Sequence, residues 1–280
     1  LFNYLLIYGV WIFPRLELEG AAIGTLISRF FMLGFMYFIL KKKKKFSTYF
    51  VWAKKSLQQK IFKRLFNLGF PTALQMLFEV AIFTASVFLA GTLGTNVQAA
   101  NQVALNLSSM TFMIAVGIGV TATIRVGNQK GQHNYKELRR IAFSTFFLVF
   151  IIEAFFALGF ILLKDILPTF YIDNTEVIIL AAQLLIVAAL FQLSDGLQVV
   201  ILGALRGLQD VRYPTLICFI AYWVIGFPVS YFLGKENAWG SMGIWFGLLA
   251  GLSASSIMLY IRFNYLSKKL IERGVIKDLL

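Results

Sequence analysis

The chain has 280 residues, is 59% hydrophobic and 16% aromatic, and carries only 14% charged residues, with a mean hydropathy of +0.77. That balance excludes an ordinary soluble domain, which carries more charge and shorter apolar runs, and predicts an all-α polytopic membrane protein with spans of about 20 residues. A net charge of +13 raises nucleic acid as a partner, until the placement of the basic residues accounts for it otherwise.

Eight hydrophobic segments follow in chain order, at roughly 1–13, 20–40, 65–92, 98–125, 141–163, 177–205, 213–233 and 240–263. All are read as helices, because an open sheet would leave unpaired backbone groups in hydrocarbon. The first, "LFNYLLIYGVWIF", is too short to span and reads as the tail of a helix that begins upstream. The sequence is therefore expected to be part of a longer protein, the remainder of which is its first partner. The lipid bilayer is the second.

Alternate connections are basic. Residues 41–64, 125–140, 206–212 and the tail from Arg262 hold 22 of the chain's 26 Lys and Arg. The opposite connections hold Arg15, Lys164 and Lys235, and Arg29 lies within the second span. This imbalance predicts cytoplasmic basic loops and explains the net charge without nucleic acid. The Lys41–Lys45 run reads as a topology anchor near anionic lipid.

The chain also echoes itself. "YGVWIFP" (8–14) resembles "YWVIGFP" (222–228), and "GAAIGTL" (20–26) matches "GIWFGLL" (243–249) at Gly20/Gly243 and Gly24/Gly247. Both echoes have the same expected orientation, which predicts a parallel repeat. The G-x-x-x-G spacing in each copy predicts close helix approach.

Three acids fall inside spans, at an insertion cost of ~2.5–3.5 kcal/mol for an Asp near a helix centre. Glu79 shares a helical face with Thr72, Gln75 and Ser86; Gln98, Gln102, Asn106 and Ser109 form a similar row on the next helix. Asp195 has Gln192 and Gln198 three residues to either side. Three polar stripes are thus expected to converge on one wet cavity, or else the amides simply join helices. Glu153 lacks polar companions at helical spacing, so Glu153→Gln is expected to be milder than loss of Glu79 or Asp195. Arg29 reads as an interhelical partner for an acid or an amide. Asp210 reads as structural, paired with Arg206 or Arg212. Desolvation favours the protonated form of a carboxylic acid, which suits exchange of a proton or Na⁺ against a bound cation. Phe78, Phe83, Phe112 and Tyr222 offer rings to flat organic cations, although packing accounts for most such aromatics. One histidine, one cysteine and no H-E-x-x-H argue against an enzyme and against a structural metal site.

"GFPTALQMLFEVAIFTASVFLAGTLGTNVQAANQVALNLSSMTFMIAVGIGVTATIRVGNQKG" (69–131) and "QLSDGLQVVILGALRGLQDVRYP" (192–214) resemble the multidrug and toxic compound extrusion transporters, the MATE family, in its NorM-like bacterial branch. The resemblance implies twelve helices in two six-helix lobes, of which this chain looks like the last eight. Residues 1–40 would then end the first lobe, 41–64 form a basic inter-lobe loop, 65–265 the second lobe and 266–280 a cytoplasmic tail. It implies a Na⁺- or H⁺-driven antiporter exporting cationic drugs across the bacterial inner membrane, with no resident cofactor. Glu79 and Asp195 correspond to the acids of the family's seventh and tenth helices. They would form its second-lobe cation site, supported by Gln75, Gln102, Asn106, Gln192 and Gln198, with Na⁺ possible at the two acids. Some members carry a tyrosine one turn before the aspartate, where this chain has Phe191. The alternatives are a lipid-linked oligosaccharide flippase of the same superfamily, a passive channel, or a piece that does not transport alone.

Overall fold

The computed structural model describes residues 2–9, 14, 16–42, 59–235 and 239–279, which form two compact units, Leu1–Gln59 and Lys60–Leu280. Among the described residues there is no strand.

The first unit contains α1 (Phe2–Tyr8) and α2 (Glu17–Lys42). Gly20 lets α2 lie on the end of α1: a β-carbon there would collide with the Leu6 carbonyl, which also accepts from the Leu16 N–H at 3.0 Å. Arg29 is on the exposed face of α2. Most of the first echo, residues 10–13, and most of the basic connection, residues 43–58, lie outside the described residues, as does residue 15.

The second unit contains α3 (Gln59–Thr92), α4 (Thr95–Gly131), α5 (Tyr135–Leu162), α6 (Thr175–Gly207), α7 (Arg212–Leu233) and α8 (Gly240–Leu279). Asn134 and Asn174 cap α5 and α6 by accepting the N–H of Glu137 and Glu176, donors that the first helical turn cannot satisfy itself. Gly94 makes the turn between α3 and α4 at φ 119°, where a side chain would be strained.

Proline marks two irregular helices. Pro71 lies inside α3, and its carbonyl accepts the Thr215 hydroxyl at 2.8 Å. In α7, Pro228 lacks an N–H and crowds the preceding turn. The seven residues Ile220–Gly226 widen into a π-helical stretch, with the Phe227 N–H donating to the Tyr222 carbonyl.

α6 is the axis of this unit. From Phe191 to Gly207 no residue of it is exposed, and it packs against α4, α5 and α8. Toward α4 the contact is backbone to backbone. A β-carbon at Gly119 would lie 3.1 Å from the Val199 carbonyl, one at Gly207 would lie 2.7 Å from the Thr123 carbonyl, and one at Gly203 would strike the Gly119 carbonyl. Thr123 donates to the Gly203 carbonyl at 2.9 Å, fixing the seam. On the other side, Gly243, Gly247 and Gly251 of α8 admit the backbone of Leu233, Ser230 and Gly226, the close approach that the glycine spacing predicts. α3 reaches its neighbours through long side chains, including Phe78 to Phe219 and Phe83 to Phe191.

Among the described residues, seven helices, α2 to α8, are long and apolar enough to cross a membrane. The sequence reading had eight spans. Of its first, the described part is the seven-residue α1, too short to cross by itself. The helices also run past the expected boundaries. α4 continues through the basic stretch 125–131, and α8 runs through the expected tail to Leu279; neither stretch contains a proline to stop it.

Candidate functional site

Asp195 lies near the middle of α6 and is 6% exposed. On the same helix Gln192 and Gln198 are 2% and 1% exposed, so the expected polar face exists and is turned inward. From α3, Gln75, Ile82 and Ser86 are buried on one face, and half-buried Glu79 occupies the same face between them. Asp195 is within electrostatic range of both Glu79 and Glu153. The two expected acids therefore do belong to one neighbourhood.

Glu153 is the residue that sequence reasoning set apart and the fold brings in. It is 1% exposed on α5, lying directly over Gly196, where a β-carbon would come within 2.6 Å of its Cγ. Gln192 ties the helices together at this level. Its amide donates to the Glu153 carbonyl (3.3 Å) and accepts the Thr111 hydroxyl of α4 (2.9 Å). The available signal was the glycine beside Asp195, which clears room for a carboxylate from another helix. Tyr222 of α7 closes the other side, accepting a hydrogen bond from Gln198 and lying in electrostatic range of Glu79 and Asp195.

The polar atoms of this cluster are not all satisfied. Both Glu153 carboxylate oxygens, Asp195 Oδ1, Gln198 Oε1 and Gln75 Nε2 are buried with no hydrogen-bond partner. Buried polar groups are ordinarily paired, and an ionised carboxylate in an apolar surround is strongly penalised. Unpartnered acceptors at membrane depth are ready-made ligands for a proton or a cation. Among the described residues, no three His, Cys, Asp or Glu side chains gather closely enough to hold a metal ion together, so the acids neighbour one another without converging on a point.

Two expectations need correction. Gln98, Gln102, Asn106 and Ser109 do not join the cluster within this chain: all four are on an exposed face of α4, where Asn106 accepts the Tyr171 hydroxyl at 3.0 Å. The interface with α6 selects small residues, and Ala100, Ala104, Ala115, Gly119 and Ala122 set the rotation of α4. That rotation buries Asn101, Ser108 and Thr111 instead. Asn101 accepts the indole N–H of the fully buried Trp245 at 2.9 Å. The second correction concerns Asp210, which pairs with neither Arg206 nor Arg212. Its partner is Arg262 of α8, at 2.8 Å. Arg206 instead turns toward α3, donating to Gln75 Oε1 at 3.3 Å and lying in electrostatic range of Glu79.

Phe191, in the place of a tyrosine hydroxyl, is 1% exposed. It makes edge contacts with Phe83 (5.9 Å between ring centroids) and Trp245 (5.3 Å). It is a packing residue one turn from Asp195.

The profile of the MatE family matches residues 71–232, the stretch that contains Glu79, Glu153 and Asp195. The chain is 36% identical over 272 residues to the multidrug resistance protein NorM of Photobacterium profundum, covering 94% of this chain and 59% of that protein. The chain belongs to the MatE family. The multidrug resistance protein MdtK of Proteus mirabilis is likewise 36% identical, over 274 residues, covering 95% of this chain and 60% of its own length. Among solved structures, the outward-facing conformation of a multidrug resistance MATE family transporter superposes with a TM-score of 0.83 at 19% identity, over 97% of this chain and 60% of that one. The eukaryotic MATE transporter AtDTX14 superposes at 0.81 with 19% identity, over 98% and 61%. These two likenesses establish the fold. The chain spans about 60% of the length of its curated relatives. Family membership and the seven apolar helices make it a multi-pass membrane protein.

Proposed function

We propose that the protein carrying this chain exports organic cations in exchange for Na⁺ or H⁺, with Asp195 and Glu79 as the carboxylates that take up and release the driving or the transported cation. The observation that supports this most is the acid neighbourhood at membrane depth: Asp195 on the central helix, flanked by Glu79 and Glu153, with unpartnered carboxylate oxygens. A bound cation would satisfy those oxygens. Its loss would leave either a protonated acid or a costly buried charge, and that difference links occupancy to conformation. Moving one charge across ~100 mV supplies about 2.3 kcal/mol, enough to drive appreciable uphill efflux. The names of the bacterial relatives, multidrug resistance proteins, fit this reading. A flippase for an anionic lipid-linked sugar would want cations at this depth, whereas the centre of this lobe presents carboxylates. No resident cofactor and no enzymatic step enters the scheme. The basic connections and the C-terminal end of α8 are assigned to the cytoplasmic side of a bacterial inner membrane, by their Lys and Arg content.

The test is ethidium efflux from drug-sensitive cells expressing the whole protein, wild type against Asp195→Asn at matched membrane abundance. Na⁺ and proton gradients are imposed separately. The variant is expected to fall to the background rate under either gradient, and the gradient that powers the wild type names the ion. Gradient-driven efflux that survives in Asp195→Asn would remove Asp195 from the coupling scheme.

A further inference from the structure

A cleft of about 440 Å³ opens where the start of α3 faces the turn between α6 and α7. Lys60, Lys63 and Arg64 project into it from one face of α3, and Arg212 with Gln209 and Asp210 line the opposite wall. The charge inside is one-sided. Asp210, the acid of the cleft, is already engaged by Arg262, whose guanidinium also stacks 3.9 Å over the Tyr213 ring. Among the described residues, none of Lys60, Lys63, Arg64 and Arg212 pairs with a carboxylate. Lys130 adds to the field: it donates to the Leu208 carbonyl beneath the turn and lies in electrostatic range of Arg64. The segment 41–58 that leads into α3 contains seven Lys and no Asp or Glu.

The cleft is also shaped in advance. Arg64 donates to Gln209 Oε1 at 2.9 Å, which fixes the guanidinium across the opening with its other N–H groups free for a ligand. An Arg held in this way is suited to a tetrahedral oxyanion, and the lysines add charge without geometric demand.

We infer that this cleft binds the phosphate of an anionic phospholipid headgroup at the membrane edge. A lipid is favoured over a soluble phosphate by what surrounds the basic face. Phe62 and Phe66 of the same two turns of α3 are 63% and 58% exposed, and Tyr213 on the far wall is 57% exposed. Acyl chains descending from a headgroup in the cleft would cover this apolar rim, whereas a free phosphate ester would leave it bare. The bound lipid would join α3, which otherwise meets its neighbours through side chains, to the α6–α7 turn.

The test is native mass spectrometry of the whole protein, released from mixed micelles of phosphatidylglycerol and chain-matched phosphatidylcholine. Wild type is expected to retain phosphatidylglycerol selectively. Lys63→Gln/Arg64→Gln/Arg212→Gln should weaken that retention by about tenfold or more, since it removes three of the basic side chains that line the cleft. The charge-matched control Lys136→Gln/Lys268→Gln/Lys269→Gln, on exposed residues outside the cleft lining, should leave it within about twofold, because an exposed charge that does not touch the headgroup acts on it only through screening solvent. Should the triple variant not fold, Gln209→Ala, which only frees Arg64, is expected to lose about threefold, the worth of one hydrogen bond. Unchanged retention in the folded cleft variant, or an equal loss in the control, would overturn the proposal. Displacement of the lipid by an equal concentration of glycerol 3-phosphate would also overturn it, by making the cleft a soluble-phosphate site.

Discussion

Two adjoining stretches of the C-terminal half of α6 are held by opposite means. From Val199 to Gly207 the helix meets α4 through glycines, backbone against backbone, and the one side-chain hydroxyl in the seam, Thr123, is satisfied by the Gly203 carbonyl. From Gln192 to Gln198 it meets α3, α5 and α7 through carboxylates, amides and a phenol, and several of their polar atoms have no partner. The glycine stretch is dispersion at the closest possible approach, which fixes position. The second carries unmet hydrogen-bonding capacity, which a stable core would not keep without use. A close-packed seam thus sits within two turns of a cluster whose polar atoms are partly unpartnered.

Substitutions can separate these two stretches. The largest effect is expected from Gly203→Leu, whose side chain has no room against Gly119. Overpacking of that kind costs ~1–3 kcal/mol or more, so folded protein recovered by fluorescence-detected size exclusion should fall sharply and efflux with it. Normal recovery would mean the seam is not a fixed anchor. Glu153→Gln is the next test. It keeps the shape over Gly196 and removes only the ionisable group, so folded yield should hold. Efflux per molecule should drop by about tenfold, a change of ~1.4 kcal/mol in the barrier. That is a larger effect than the sequence suggests, and wild-type efflux would return Glu153 to a packing role. The smallest change is expected from Gln102→Ala, on the exposed face of α4, which should leave both yield and efflux near wild type. A selective loss of efflux there would show that the exposed face, not the cluster, handles substrate.

Much of this organisation can be read directly from the chain. The long apolar runs, the alternating basic connections and the glycine spacing each follow from a one-dimensional rule, and the helices from α2 to α8 match them within a few residues at most ends. The faces carrying Gln75–Glu79–Ser86 and Gln192–Asp195–Gln198 were also legible, because helical periodicity within one segment needs no knowledge of its neighbours.

What sequence alone left undecided was rotation and partnership. Nothing local to α4 says whether its Gln102 row or its Asn101–Ser108–Thr111 row turns inward. That choice was made by the small residues that allow α6 to approach. Nor could periodicity on α5 give Glu153 companions, since they come from α6, across the gap left by Gly196. Asp210 found Arg262 from a helix 52 residues away, past two nearer arginines. By itself the sequence determined which segments enter the membrane and which residue types each carries there, because burial in lipid acts on every segment alone. Which of those residues face one another was decided only in the tertiary structure, where close packing of glycine and alanine seams fixes each helix's rotation and so assembles the acid cluster around Asp195.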